Sequence, residues 1–353
     1  MTNDLVLSIL LLSVLVSVAI NGLLRNIAKK NNILIDLPDK SRKFHKRPTP
    51  LSGGLGIFIS IMISAKIYID LNDLNGYIPL FSETIMLASL GLLIFFLLDD
   101  LIGVRYLYRL LFQILATLII IYVTGVQINN FGNLLGFGGM ELGSLSIPVT
   151  VFCVVGVMNA FNMIDGINGL CAGSALSMLL FSGFHSGFIY DSMLILVIGS
   201  ILGFLVYNLR IFGKKRAVFL GDSGSNILGF IVAWVAIYTS QNVSYDVSPM
   251  SMVWFIAVPL LDCIGLIISR TLRGISWAAP GRDHIHHKLM LKFSPESSLL
   301  IIIIFTSFLS MIAIYLDTNF KEYISFYLFM LFAISYYLIF HFYVKPATNN
   351  ENI

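Results

Sequence analysis

The chain has 353 residues, of which 57% are hydrophobic and only 12% charged, with a formal net charge of +3 and a mean hydropathy of +0.88. Soluble domains carry about 25% charged residues, so this composition excludes a water-soluble globular protein. The three cysteines, Cys153, Cys171 and Cys263, lie in or beside apolar runs without paired spacing, which excludes a disulfide framework and a zinc knuckle.

Apolar runs near the length of a membrane span recur along the chain, at 5–24, 54–71, 83–98, 107–125, 146–160, 170–188, 192–208, 226–240, 251–270, 298–316 and 322–343. Runs 146–160 and 226–240 are short. Backbone groups in hydrocarbon must bond internally, so each run is expected to be a helix. The first run is no signal peptide, because Asp4 precedes it while Arg25, Lys29 and Lys30 follow it.

Apart from Lys66 and Lys321, every Lys and Arg falls in segments 25–53, 99–109, 161–169, 209–225, 270–297 and 344–353. Basic residues mark the cytoplasmic side. The expected fold is therefore an all-α integral membrane protein, a polytopic bundle of about eleven transmembrane helices. Its N-terminus lies outside, its C-terminus in the cytoplasm and its catalytic site at the cytoplasmic face. No loop is long enough to build a soluble core, so residues 1–345 read as one polytopic domain and 346–353 as a disordered tail.

The polar clusters sit at span ends, all on that one face. Segment 39–56 is basic and then becomes Pro- and Gly-rich, which fixes the backbone where the second span begins. Asp99-Asp100 ends a long apolar run. Adjacent carboxylates repel unless a cation or proton intervenes, and a helix C-terminus disfavours them further. The pair suits a magnesium-assisted site or a general base, against the plainer reading of a solvated terminus.

Asn162, Asp165 and Asn168 form the next cluster, with Asp165 and Asn168 spaced to share a face of a helical turn; polar helix caps are the alternative. In Gly221-Asp222-Ser223-Gly224-Ser225-Asn226 the small residues admit a phosphate, the following helix offers N–H donors, and Asp222 could hold Mg²⁺. A turn and cap is the plainer reading, and the Walker A pattern is missing. Asp262 is acidic inside a span, which marks either function or pairing with a neighbouring helix. His284, His286 and His287, beside Arg282, suit a pyrophosphate and a sugar better than zinc, since three His within four residues are poorly placed for one tetrahedral site.

Together RPTPxxGG at 47–54, DD at 99–100, NAFNMIDGINGL at 159–170, FLGDSGS at 219–225 and HIHH at 284–287 resemble the polyprenyl-phosphate N-acetylhexosamine-1-phosphate transferase superfamily (glycosyltransferase 4 / MraY-like), in its WecA/TagO-like branch. The resemblance implies transfer of a sugar 1-phosphate from a UDP-N-acetylhexosamine to undecaprenyl phosphate, with release of UMP. UDP-GlcNAc is the expected donor, and QuiNAc, FucNAc or GalNAc the alternative sugars. It implies Asp222 as the principal Mg²⁺ ligand, with Mn²⁺ the candidate substitute, and Asp99 and Asp100 beside the metal and lipid phosphate. Phe219 would stack on uracil, and Asn162 and Asp165 would serve the nucleotide. The histidine loop with Arg282 would close over the pyrophosphate and amino sugar. His45, Lys46, Arg47 and Arg105 could supplement the cation at the lipid phosphate.

Two positions depart from the family pattern. Asn168 stands where many relatives have a second Asp, which favours a neutral hydrogen bond to uracil, and Gly103 removes any third carboxylate from a DDxxD reading. Membrane lipids are expected partners and nucleic acid is not; a homodimer is left open. A secondary transporter is the rival class, but it would place ionisable residues near the midplane of repeated, broken helices.

Overall fold

A computed structural model describes residues 3–38, 47–71, 80–276, 281 and 283–343. His45, Lys46, Arg282 and the tail 346–353 lie outside the described residues. The chain forms two compact units, one from 1–126 with 187–231, the other from 127–186 with 232–353.

The first unit holds α1 (Asn3–Asn31), α2 (Gly53–Leu71), α3 (Leu80–Ile102), α4 (Tyr106–Thr124) and α7 (Ser192–Asn208). The second holds α5 (Ser146–Ile164), α6 (Leu170–Ser186), α9 (Pro249–Phe255), α10 (Ala257–Leu272), the short α11 (Ile285–Leu289), α12 (Pro295–Asn319) and α13 (Glu322–Tyr337). Helix α8 (Gly221–Gln241) begins in the first unit and ends in the second. The only paired strands among the described residues are β1 (Ile35–Asp36) and β2 (Thr49–Pro50), which run antiparallel.

Among the described residues, eight helices are long and apolar enough to cross a membrane, or nine if α9 and α10 count as one bent span; α6 and α7 are shorter apolar helices. Run 251–270, expected as one helix, is broken at Ile256 with a bend of 78°. Pro259, the third residue of α10, lacks the N–H that would have bonded to the Phe255 carbonyl, so the two pieces cannot be continuous there. Helix α1 runs past its apolar stretch through Arg25, Lys29 and Lys30. Its 29 residues span roughly 44 Å at 1.5 Å per residue, enough to cross hydrocarbon and both headgroup layers.

Small residues set the packing of the first unit. Ser13, Ser17 and Asn21 recur every fourth residue on the buried face of α1. A Cβ on Gly199 would stand 2.6 Å from that of Ser13, and one on Gly203 would overlap Ser17. At that close approach Ser13 Oγ donates to the Leu196 carbonyl at 2.6 Å and Ser17 Oγ to that of Ser200 at 2.7 Å. Such small-residue contacts are how helices associate where lipid is as apolar as the side chains. In the second unit the Trp254 indole donates to Ser325 Oγ at 3.1 Å, tying α9 to α13. The apolar stretch of α13 is only 17% buried, as suits a lipid-facing helix.

Candidate active site

In the first unit the acidic pair lies in the last turn of α3. Gly103 follows with φ +68°, a conformation that a Cβ would strain, and it ends the helix. The chain then turns so that the Val104 N–H donates to Asp99 Oδ1 at 2.7 Å. Arg109, in the first turn of α4, joins two of the carboxylates. Its Nε stands 2.8 Å from Asp99 Oδ2, a charge contact without hydrogen-bond alignment, and its Nη1 bonds to Asp222 Oδ2 at 3.0 Å.

Asp100 does something different. Its oxygens accept the backbone N–H groups of Asp222 at 3.2 Å and Ser223 at 3.5 Å, the first donors of α8. The motif was expected to offer these donors to a substrate anion; the protein directs them at its own carboxylate. A fixed anion at a helix N-terminus is stabilising, because the unsatisfied N–H groups and the helix dipole both favour it. A second layer holds α4 against α8, with Gln113 Nε2 donating to Asn226 Oδ1 at 2.7 Å and Asn226 Nδ2 to the Asp222 carbonyl at 2.8 Å.

Exposure separates the three carboxylates. The Asp99 side chain is fully buried, whereas that of Asp222 is 39% exposed and so reachable by a ligand. Arg109 faces Asp99 and Asp222, and with Asp100 on the Asp222 N–H the three carboxyl groups make an all-oxygen donor set of the kind a hard divalent cation such as Mg²⁺ takes. Among the described residues, no three His, Cys, Asp or Glu side chains are already drawn together as a ligand set.

The RPTPxxGG and FLGDSGS segments pack on each other. Phe219 N–H donates to the Pro50 carbonyl at 2.8 Å, Gly53 N–H to that of Phe219 at 2.9 Å and Gly54 N–H to that of Leu220 at 2.9 Å. A Cβ on Gly54 would overlap the Gly224 backbone. These glycines let the start of α2 lie directly against the start of α8, and Phe219 is left half-buried. Arg47 is exposed, and so is Arg105 at the N-cap of α4.

In the second unit Asn162 lies in the last turn of α5, Asp165 at its C-cap and Asn168 in the turn before α6, all half-buried. Asp165 and Asn168 therefore do not share a helical face as their spacing suggested. The helix stops at Ile164, before both, and Gly169 at φ +84° redirects the chain into α6.

The histidine segment is organised by Asp262, whose Oδ1 accepts the Ile285 N–H at 2.9 Å while Oδ2 meets His284 Nδ1 at 2.9 Å. The histidine segment is thus a partner of this span acid. Asp283 is clamped by Arg270, with Nη2 at 2.6 Å and Nε at 3.1 Å, and by Arg273 at 3.2 Å. Burial alone would raise its pKa, but the Arg270 hydrogen bonds and charge hold it at about 2.

His286 is 1% exposed, and a Cβ on Gly166 would run into its ring, so the DGIN turn and the histidine helix touch. Burial, and then the neighbouring His287 and His284, push its pKa well below the usual 6.5 and keep it neutral. Neither ring nitrogen meets a hydrogen-bond partner among the described residues. His287 is half-exposed, its ring centroid 4.2 Å from that of His286. Buried Lys288 donates to the Phe340 carbonyl.

Arg109, Arg270 and Arg273 escaped the sequence reading. Only Arg109 left a trace, as a basic residue at the start of a span, four residues after Arg105.

The helices and this constellation define a polytopic membrane protein with a carboxylate-rich site. The sequence pattern of glycosyl transferase family 4 matches residues 81–240. An undecaprenyl-phosphate α-N-acetylglucosaminyl 1-phosphate transferase of Yersinia pestis is 33% identical over 82% of this chain and 79% of its own length. Proteins with the same description from Escherichia coli K12 (34%, over 75% of this chain and 71% of theirs) and Haemophilus influenzae (32%, 73% and 72%) are also similar. The chain belongs to the glycosyl transferase family 4 of multi-pass membrane proteins, alongside these bacterial 1-phosphate transferases.

Proposed function

We propose that the protein transfers GlcNAc 1-phosphate from UDP-GlcNAc to undecaprenyl phosphate, the first step of building a surface glycan on a lipid carrier. The relatives' descriptions support the acceptor and the sugar. The arrangement that carries the chemistry is Arg109 bridging buried Asp99 to exposed Asp222 at the start of α8.

In this reading an oxygen of the lipid phosphate attacks the sugar-bearing phosphorus of UDP-GlcNAc. A new P–O bond forms, the bond to the uridine-bearing phosphate breaks, and UMP leaves with that bridging oxygen. A phosphate monoester is already largely dianionic at neutral pH, so direct attack needs no protein base. Asp222, with Asp99 and Asp100 nearby, would hold Mg²⁺. When bound, the ion neutralises and aligns the two anionic phosphates. Arg109 holds Asp99 and Asp222 in register, and Asp100 steadies the first turn of α8. Neutral His286 fits a donor or acceptor to an uncharged sugar group, and Asn162, Asp165 and Asn168 fit the nucleotide.

The membrane arrangement we favour is eleven spans in the bacterial inner membrane, with the N-terminus outside, the C-terminus inside and the chemistry at the cytoplasmic face. Eight long helices, the bent pair and the two shorter apolar helices would supply those spans.

The test is UMP release from UDP-GlcNAc by purified protein with undecaprenyl phosphate and Mg²⁺. Asp222→Asn keeps the size and removes the charge, and should lower turnover by orders of magnitude with unchanged thermal stability. Near-normal activity of that variant at low Mg²⁺ would refute the assignment.

A further inference from the structure

At the basic end of α1 the first unit contains a cavity of about 560 Å³ whose described lining includes none of the three carboxylates. Arg25, Lys29, Arg47, Lys214 and Lys215 line it together with Asn32, and among the described residues no acid lines it. Asp36, the nearest acid along β1, faces Thr49 in the strand register and is not part of the wall. Arg25, Lys29, Lys214 and Lys215, gathered around one cavity, repel one another unless an anion joins them. On one wall Arg25 donates to the Lys215 carbonyl at 2.7 Å and Lys29 to the same oxygen at 3.0 Å. A carbonyl dipole holds those side chains in place without neutralising them.

The surroundings indicate what kind of anion fits. Ile33 and Leu37 follow the end of α1, Ile211 and Phe212 precede Lys214, and all four are exposed. Cations next to exposed apolar side chains at the end of a span mark headgroup depth, where phosphates and acyl chains meet. The volume falls within the usual range of ligand sites, roughly 300–1,000 Å³, and exceeds what one phosphate fills.

We propose that this cavity binds the phosphodiester headgroup of an anionic membrane phospholipid as an accessory ligand that takes no part in the reaction. Its position links it to the reacting groups. β2 carries the cavity residue Thr49, and the next residue, Pro50, accepts the Phe219 N–H just before α8. A headgroup in the cavity therefore steadies the strand on which the FLGDSGS turn rests.

The experiment measures retention of phosphatidylglycerol, against phosphatidylcholine, by the full-length protein in native mass spectrometry from mixed nanodiscs. K214Q/K215Q removes two charges but keeps the Lys215 carbonyl that anchors Arg25 and Lys29. It should weaken phosphatidylglycerol retention by about tenfold or more, while K214R/K215R should retain it. K30Q/K292Q loses the same charge away from the cavity lining and should behave as wild type. Equal retention by wild type and K214Q/K215Q would overturn the proposal, as would an equal loss in K30Q/K292Q, which would mean diffuse attraction. Displacement of the lipid by millimolar inorganic phosphate would overturn the lipid assignment in favour of a soluble anion.

Discussion

Arg109 shows how one residue can tie two carboxyl groups from distant parts of the chain together. It sets a cation against the fully buried carboxyl group of Asp99 and joins it to the reachable carboxylate of Asp222. Removing one partner of a buried pair costs more than the pair itself contributes, because the remaining charge is left desolvated. Arg109→Ala should therefore lower stability by about 1–3 kcal/mol through the stranded Asp99, and reduce UMP release by at least an order of magnitude. Adding Asp99→Asn should restore much of the melting temperature but not the activity. Recovery of both in the double variant would mean that Arg109 acts only as a structural counterion. His286 poses the complementary case, a neutral ring held buried with its nitrogens uncommitted. A buried polar group without a partner is costly, so such a ring points to a ligand group.

At the level of elements, glycine contacts decide which helix starts meet. Gly54 lies against the Gly224 backbone, and the N–H groups of Gly53 and Gly54 bond to the carbonyls of Phe219 and Leu220. The RPTPxxGG motif thus acts largely through the α8 N-terminus that it buttresses. A methyl group at Gly54 has no flexible side chain to push aside, only backbone. Gly54→Ala should cost about 1–3 kcal/mol as overpacking and displace the turn carrying Asp222. Thermal unfolding in detergent would register the first effect, and the Mg²⁺ concentration for half-maximal turnover would register the second by rising. An unchanged melting temperature would show that this contact is looser than the geometry requires. Pro259 has the opposite role: it breaks a long apolar run and creates α10, the helix that carries Asp262 and Arg270 to the histidine segment.

For the molecule as a whole, the sorting of basic residues makes a prediction about sidedness. Val243 follows the end of α8 and is fully exposed, while Lys292 is an exposed residue between α11 and α12. Single cysteines at Val243→Cys and Lys292→Cys, in a background lacking the three native thiols, should react with impermeant maleimide from opposite sides of sealed vesicles. The Lys292→Cys protein should label only when the cytoplasmic face is accessible. Labelling of both from one side would refute the eleven-span arrangement and, with it, the gathering of all the motifs at one face.

Much of this protein was legible in its sequence because lipid imposes a blunt constraint. Apolar runs must become helices when no water is present to satisfy the backbone, and each of the eleven runs indeed meets helix in the structure. The family was likewise legible, from the five motifs in order at span ends. Pairing was not legible. That Arg109 bridges Asp99 to Asp222, that Asp100 caps α8, that Asp262 holds His284 and that Gly166 makes room for His286 depend on contacts between residues far apart in the chain. Local hydropathy carries no information about those distances. The sequence by itself determined a helical membrane transferase and its chemical parts; only the tertiary structure decided which part neutralises, caps or supports which, because those roles exist only once the helices have packed.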